Sequence, residues 1–359
     1  MKVVPPGSTI GILGGGQLGR MTALAAARLG YRCHIFDPDR GAPAAQIVAQ
    51  TTHAPYTDRT ALAAFARTLA VATYEFENIP HEGADALGEL VSVRPAPAIL
   101  RITQDRLAEK RFLNSLGVAT VPFLEVNDPT ELARAVSEIG RPAVLKTVRL
   151  GYDGKGQVAI GAETDLAAAW TAMGTTRGVL EAFVDFACEI SVIVARGLDG
   201  QTAAYVPVEN QHKHHILDTT IAPAHIATET AMKAEAIARH VAEKLGLEGL
   251  LAVEMFVARD GAVLVNELAP RPHNSGHWTI DACVTSQFEQ LVRAICGLPL
   301  GSPERHSDAV MKNLIGEEVN EWPDILKDPA AKLHLYGKDE IRPGRKMGHV
   351  TRLSPRADR

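Results

Sequence analysis

The chain has few of the residues that cross-link or metallate a fold. Its 359 residues include four cysteines, Cys33, Cys188, Cys283 and Cys296, scattered without a CxxC pair or a metal-ligand spacing. That argues against a disulfide framework and predicts free thiols packed in the core, as suits a reducing compartment. Positive charge is scarce as well. With 37 basic and 42 acidic residues the net charge is −5, so no global field exists to hold nucleic acid or an anionic membrane. Any anion the protein binds has to be met by local groups. No stretch approaches the roughly 20 apolar residues of a membrane helix. Met1 to Thr9, with its Pro5-Pro6 pair, also lacks the apolar segment of a secretory leader. A soluble cytoplasmic protein with no nucleic-acid or membrane partner is expected. Internal repeats and low-complexity segments are missing too.

What is present is ample apolar material, 46% of residues against 22% charged, in a chain too long for one ordinary compact domain. Thr9 to Leu13 and Arg32 to Phe36 read as strands, and the Ala-rich stretches Leu18 to Leu29 and Thr60 to Leu69 read as helices. This βαβα order predicts a parallel sheet with crossover helices. The proline-bearing stretch from Val93 to Pro97 interrupts it as a linker, so a first Rossmann-like domain is expected over residues 1–98. One helix is then read from Arg101 to Leu116, another from Pro129 to Ile139, with strands at Val121 to Val126 and Ala143 to Val148. Beyond Gly178, strands at Val179 to Phe183, Ile190 to Ala195, Ala203 to Val208, Leu250 to Ala258 and Val263 to Leu268 accompany one helix, Thr228 to Leu245. That is a mixed, largely antiparallel region rather than a second βαβ half.

Three local patterns carry chemistry. Gly14-Gly-Gly-Gln-Leu-Gly19 fits G-x-G-x-x-G after a strand and before a helix, with Asp37 at the end of the next strand. An NAD pyrophosphate or another phosphate both suit such a loop, because glycines admit close approach and the helix N-terminus offers unpaired N–H groups. Asp260-Gly261 is the favoured two-residue type I′ turn between strand-like runs, and a turn pairing 259 with 262 sets Glu254 opposite Glu267. Two directly opposed carboxylates among apolar neighbours call for a cation such as Mg²⁺; solvated glutamates or a shared proton are the plainer alternatives. Asn266, next to Glu267, points to the other face of an ideal strand and joins the pair only through a twist or bulge. Lys146, in the apolar run Ala143 to Val148, needs an anion unless it snorkels from an edge strand. The loop from Gly151 to Gln157 follows, a hairpin tip rather than a Walker loop, with Lys155 on a phosphate-approaching flap or an ordinary turn. His212-Lys-His-His215 is read as non-metal, since no further zinc ligands are grouped with it.

Arg106, Lys146, the 151–157 loop, Glu181, Glu189, Glu254 and Asn266-Glu267 follow the order and spacing of ATP-grasp enzymes. Further runs resemble, more narrowly, N5-carboxyaminoimidazole ribonucleotide synthetases: Gly14 to Met21, Tyr74 to Asn78, Glu209 to His212, Asn266 to His277, Leu335 to Lys338 and Arg342 to His349. The resemblance spans nearly the whole chain. It implies an ATP-grasp fold of mixed α/β and α+β class: the N-terminal Rossmann-like domain, a small lid domain over 99–178, a central domain over 179–298 and a C-terminal segment over 299–359. It implies an ATP-dependent, ADP-forming ligase that carboxylates the exocyclic amine of 5-aminoimidazole ribonucleotide with bicarbonate, through carboxyphosphate, in purine biosynthesis. The alternative is a formate-using glycinamide ribonucleotide ligase of the same superfamily.

By this resemblance ATP contacts Arg106, Lys146, the loop Gly151, Tyr152, Asp153, Gly154, Lys155, Gly156 and Gln157, and the adenine hinge Glu181, Ala182, Phe183 and Val184. Glu189, His212, Asn266 and Glu267 complete the nucleotide site, while Glu254, Glu267 and Asn266 carry Mg²⁺, with Mn²⁺ as a substitute. Gly15, Gly16, Gln17, Leu18, Glu75, Lys338 and Arg345, with Tyr152, Lys155 and Arg271, hold the acceptor. Lys155, Tyr152, Arg271, His273 and Asn274 are the implied catalytic set. Neither NAD nor biotin is expected. A homodimer is implied, with the product passing to a separate mutase. Leu150, where the family usually has glycine, and Cys188, where a polar residue is common, depart from the pattern.

Overall fold

The computed structural model describes residues 3–149, 151 and 156–357. Strands β1 (Thr9–Leu13), β2 (Arg32–Phe36), β3 (Gln50–Thr52) and β4 (Val71–Tyr74) form a parallel sheet ordered β3-β2-β1-β4, as the βαβα pattern predicts. Ile10, Ile12, Leu13, Ile35 and Phe36 are fully buried. Such continuous apolar strands belong to a sheet covered on both faces.

A second, antiparallel sheet contains β5 (Phe123–Val126), β6 (Ala143–Thr147), β7 (Gln157–Ile160) and β8 (Gly178–Ala182), ordered β5-β8-β6-β7. Helices Pro129–Ile139 and Leu166–Met173 cover it, packing Leu132, Val136 and Ala169 onto Leu145, Ile160 and Leu180. The strand at Val179, expected to open the central unit, instead pairs with β5 and β6 and completes this small sheet.

The third sheet has nine strands: β9 (Phe186–Arg196), β10 (Thr202–Ala204), β11 (Val208–Lys213), β12 (Ile216–Ala222), β13 (Gly249–Ala258), β14 (Val263–Ala269), β15 (Ser307–Ile315), β16 (Lys332–Leu335) and β17 (Lys346–Pro355). Its order is β14-β13-β9-β11-β12-β15-β17-β16, with β10 on β9, so the C-terminal segment continues the central sheet. Strand alternation assigns the faces. Val192, Val194, Leu251 and Val253 pack with Ala234, Ala238 and Val241 of the helix Thr228–Lys244. Ile193, Ala195, Leu250 and Ala252 pack with Leu291, Val292 and Ile295 of the helix Gln287–Cys296. That second core runs on without a break into Ile10, Ile12, Ala23 and Ala26 of the N-terminal sheet and its helix.

The single helix read from Arg101 to Leu116 is two helices, Pro97–Thr103 and Arg106–Ser115. The Asp105 carboxylate breaks it by accepting from the N–H groups of Leu107 and Ala108 at 3.0 and 2.9 Å, an N-cap that starts a new helix. Arg106 thereby falls in a first turn. Of the four cysteines, Cys33, Cys283 and Cys296 are buried and Cys188 is half-buried, all as free thiols. Among the described residues no helix is long and apolar enough to cross a membrane.

Gly83 tests the packing of the N-terminal domain, because a Cβ there would lie 2.0 Å from the Tyr56 carbonyl oxygen. Backbone cannot swing aside as a side chain does. Gly83→Ala is expected to cost about 1–3 kcal/mol, read as a lower urea midpoint; an unchanged midpoint would contradict this contact.

Candidate active site

A cleft of about 1040 Å³ is lined by strands of the two antiparallel sheets and, from the N-terminal domain, by Gln17 and Leu18 after β1 and the segment Glu75 to Asn78 after β4. Its floor includes the β13–β14 hairpin, whose turn differs from expectation. Ala258 N–H donates to the Ala262 carbonyl at 2.8 Å, so Arg259, Asp260 and Gly261 make a three-residue loop rather than a two-residue type I′ turn. Gly261 takes the positive φ, +83°, that such a loop needs. The register therefore begins one residue off, with Val257 opposite Val263 and Met255 opposite Val265. A β-bulge then leaves Asn266 as the extra residue and restores Glu254 opposite Glu267. The bulge also turns Asn266 to the cleft beside both glutamates, the condition foreseen for its use as a ligand. Its Oδ1 is buried with no hydrogen-bond partner among the described residues.

Each glutamate has its own basic partner. Glu254 Oε1 lies 2.8 Å from His273 Nε2, and Glu267 Oε2 lies 3.0 Å from Arg106 Nη1. Burial alone would raise the Glu254 pKa, but His273 overrides it and holds the carboxyl well below its usual range. Arg106 also donates to the Gly151 carbonyl at 3.3 Å, tying the base of the glycine loop to the hairpin. Beneath it, Glu109 accepts the Leu268 N–H at 2.7 Å; burial, seconded by Glu267, pushes this carboxyl up to about 8.

Lys146 meets an anion within the protein. Its Nζ donates to Glu181 Oε2 at 2.7 Å, and Lys110 Nζ lies 3.2 Å from Glu181 Oε1, outside hydrogen-bond angles. Lys110 is fully buried and Glu181 is 3% exposed. Desolvation favours the protonated acid, yet the two lysines hold Glu181 down at about 2. Past Glu181, Ala182 and Phe183 donate their N–H groups to the carbonyls of Pro122 and Pro142, while Val184 N–H has no backbone partner among the described residues. All four line the cleft, as does a stacked pair, Phe186 and Phe256, at 4.8 Å and 19°. Glu189 Oε2 lies 2.9 Å from His212 Nδ1; burial would lower the imidazole pKa, but this carboxylate raises it. Among the described residues no three or more His, Cys, Asp or Glu side chains are grouped to hold a metal, and His212 is paired with a carboxylate.

The N-terminal glycine loop departs from expectation. Gly15 N–H donates to Asp37 at 2.6 Å, and the Gly16 and Gly19 N–H groups donate to Glu75 at 2.9 Å each. Three amides that a pyrophosphate would need are thus held by carboxylates. Gln17 and Leu18, not Gly15 or Gly16, line the cleft, beside Glu75. Arg271, His273 and Asn274 line it as well, with Arg271 bonded through Nε to Glu77. Lys338 and Arg345 do not line it. Lys338 Nζ donates to the Lys346 carbonyl at 2.6 Å, and Arg345 to the Glu340 carbonyl at 2.8 Å, whereas Lys346 itself faces the cleft. Burial, with Arg345 close by, pushes the Lys338 pKa down to about 8. Gly151 and Gln157 line the cleft, and Gly156 closes the hairpin by accepting from Thr147 N–H at 2.8 Å. Leu150, Tyr152, Asp153, Gly154 and Lys155 lie outside the described residues.

Sequence reasoning missed Lys110, Glu109, Glu77 and Lys346. Lys110 had a signal: it shares the buried stripe of its helix with Leu107 and Leu113, where a lysine has to meet an acid. Glu77 lies in the Tyr74 to Asn78 run that carries the resemblance, but its pairing with Arg271, 194 residues away, had no local signal.

Three family models match the chain: a ribonucleotide synthetase preATP-grasp domain over residues 7–104, an ATP-grasp domain over 111–288, and a phosphoribosylaminoimidazole carboxylase C-terminal domain over 309–359. Fold and cleft together define an ATP-grasp ligase. The chain is 51% identical to the N5-carboxyaminoimidazole ribonucleotide synthase of Brucella melitensis, over 98% of both chains. A solved ADP complex of an N5-carboxyaminoimidazole ribonucleotide synthetase superposes with a TM-score of 0.96 at 43% identity, covering 99% of this chain and 94% of that one. The Aspergillus clavatus enzyme, solved with ADP and 5-aminoimidazole ribonucleotide, superposes with a TM-score of 0.90 at 32% identity, covering 97% and 94%. The chain belongs to the N5-carboxyaminoimidazole ribonucleotide synthetase family, whose place is the aminoimidazole ribonucleotide carboxylation step of purine biosynthesis.

Glu181 predicts an acid limb of stability. A carboxyl held below its ordinary value stabilises the fold fully above about pH 4.5, and that contribution is lost as pH falls towards 2. Urea unfolding of wild type should weaken more steeply over this window than that of Glu181→Gln. Equal slopes would place the titrating group elsewhere.

Proposed function

We propose that the cleft binds MgATP, bicarbonate and 5-aminoimidazole ribonucleotide together and forms the N-carboxylate of the exocyclic amine through carboxyphosphate. The observation that carries this is the convergence on one cleft of Lys146, the Glu254–Asn266–Glu267 oxygen set, the Arg271–His273–Asn274 run and the N-terminal residues Gln17, Leu18 and Glu75. Adenine lies between the Glu181–Val184 segment, where Val184 N–H is a donor without a backbone partner, and the Phe186–Phe256 stack. Glu189 takes the ribose hydroxyls, and Lys146 and Arg106 take the phosphates. Gln17 and Leu18, at the start of their helix, hold the acceptor with Glu75 and Arg271. Lys338 and Arg345 act there through Lys346, whose carbonyl Lys338 already holds.

The cation site fits its ligands. Two carboxylates and a buried amide oxygen without a partner make a hard-oxygen set for Mg²⁺ or Mn²⁺, short of a full shell, so that waters and substrate phosphates complete it. The bound cation supplies charge neutralisation to the transferring phosphoryl group. Arg106 and His273, now paired with Glu267 and Glu254, then turn their N–H groups to the anions. A bicarbonate oxygen forms a bond to the γ-phosphorus as the bond to the β–γ bridging oxygen breaks, and ADP leaves. Carboxyphosphate loses phosphate to give CO₂, which the amine nitrogen captures with loss of a proton. The side chains position and neutralise, and no covalent enzyme intermediate is needed. The 151–157 loop, with Tyr152 and Lys155, excludes water from carboxyphosphate. The family likeness supports a homodimer and a product handed to a separate mutase.

Phosphate release from MgATP should require both aminoimidazole ribonucleotide and bicarbonate in carbonate-depleted buffer, with labelled carbon in the product. Formate with glycinamide ribonucleotide should give none; turnover with that pair would overturn the substrate reading. Glu267→Gln is expected to lose most turnover, about 100-fold or more, with an unchanged circular dichroism spectrum. Near-normal turnover would remove Glu267 from the cation site.

A further inference from the structure

Glu181 carries two lysines where one would neutralise it. Lys146, on β6, reaches the cleft; Lys110, on the helix Arg106–Ser115, is fully buried behind it, 3.2 Å from the other carboxylate oxygen and 5.9 Å from the centroid of the Phe123 ring. A lone Lys146–Glu181 pair in so dry a place would be a closed ion pair. Its mutual attraction would compete with any phosphate offered to the ammonium.

We propose that Lys110 is a positioning residue that keeps Glu181 neutralised from behind, leaving the charge of Lys146 available to nucleotide phosphates in the cleft. With all three groups ionised the triad carries one net positive charge, and Lys146 is the member that lines the cleft. When phosphate arrives, Lys146 moves off Glu181 without stranding a buried carboxylate, because Lys110 stays. Burial pulls the Lys110 pKa down, and Glu181, at 3.2 Å, is the main group opposing it; the Phe123 ring also faces the ammonium.

The inference rests on the placement of Lys146 against nucleotide proposed above. It is tested by calorimetric titration of the full chain with MgADP, comparing wild type, Lys110→Met and Lys110→Met with Glu181→Gln. Lys110→Met, which leaves Lys146 as sole counter-ion, is expected to bind about tenfold or more weakly. The double variant removes the carboxylate that captures Lys146 and should bind MgADP about threefold or more tighter than Lys110→Met. A purely structural pillar would leave the double variant no tighter than the single one, and that result would overturn the inference. So would a single variant binding as wild type does. Wild type that fails to bind MgADP would overturn the nucleotide placement and the inference with it. If Lys110→Met does not fold, Lys110→Gln replaces it in both arms.

Discussion

Among the described residues six carboxylates face one cleft; Glu75 is held by the Gly16 and Gly19 N–H groups, and each of the other five has a basic side chain at contact distance. Glu77 has Arg271, Glu181 has Lys146, Glu189 has His212, Glu254 has His273 and Glu267 has Arg106. The pairing decides where the fold can place its elements, since most of the partners come from different strands, loops or helices. It also leaves the site poised. Each of these basic groups already has an acidic partner, so an incoming anion would exchange one ion pair for another rather than meet a free, fully desolvated charge.

Much of this was legible in the sequence, though not always for the right reason. The opposition of Glu254 and Glu267 follows from counting outward from Asp260-Gly261, yet the loop is one residue longer than that count assumes and a bulge at Asn266 cancels the difference. A bulge is invisible to a period-2 pattern, because it shows only as a side chain that ought to face the other way. The parallel N-terminal sheet was plain from its apolar runs. The helix break at Asp105 was missed because an N-cap carboxylate in mid-pattern looks like any surface acid.

The glycine loop shows how far a motif reaches. Its spacing and its downstream acid are those of a dinucleotide fold, and the backbone does form strand, turn and helix. Its amides point at Asp37 and Glu75 instead of at a cofactor. The acid that usually reads a ribose here caps the loop, so the same backbone serves as a rigid edge to the cleft. Arg271 and the run containing Glu77 were both singled out in the sequence, but their pairing across 194 residues leaves no trace in a linear reading.

The helix Gln287–Cys296 lies between the large sheet and the N-terminal domain, and its apolar residues belong to one core shared by both. Shearing those two layers would open apolar surface along its whole length, whereas the small sheet is packed on a core of its own. The wall that carries Gln17 and Leu18 and the sheet that carries the carboxylate floor therefore form a single anvil. The small sheet, with its separate core, is joined to the rest through the smaller cluster of Leu107, Phe123, Val148 and Val179, so it is the one wall of the cleft that does not share the common core.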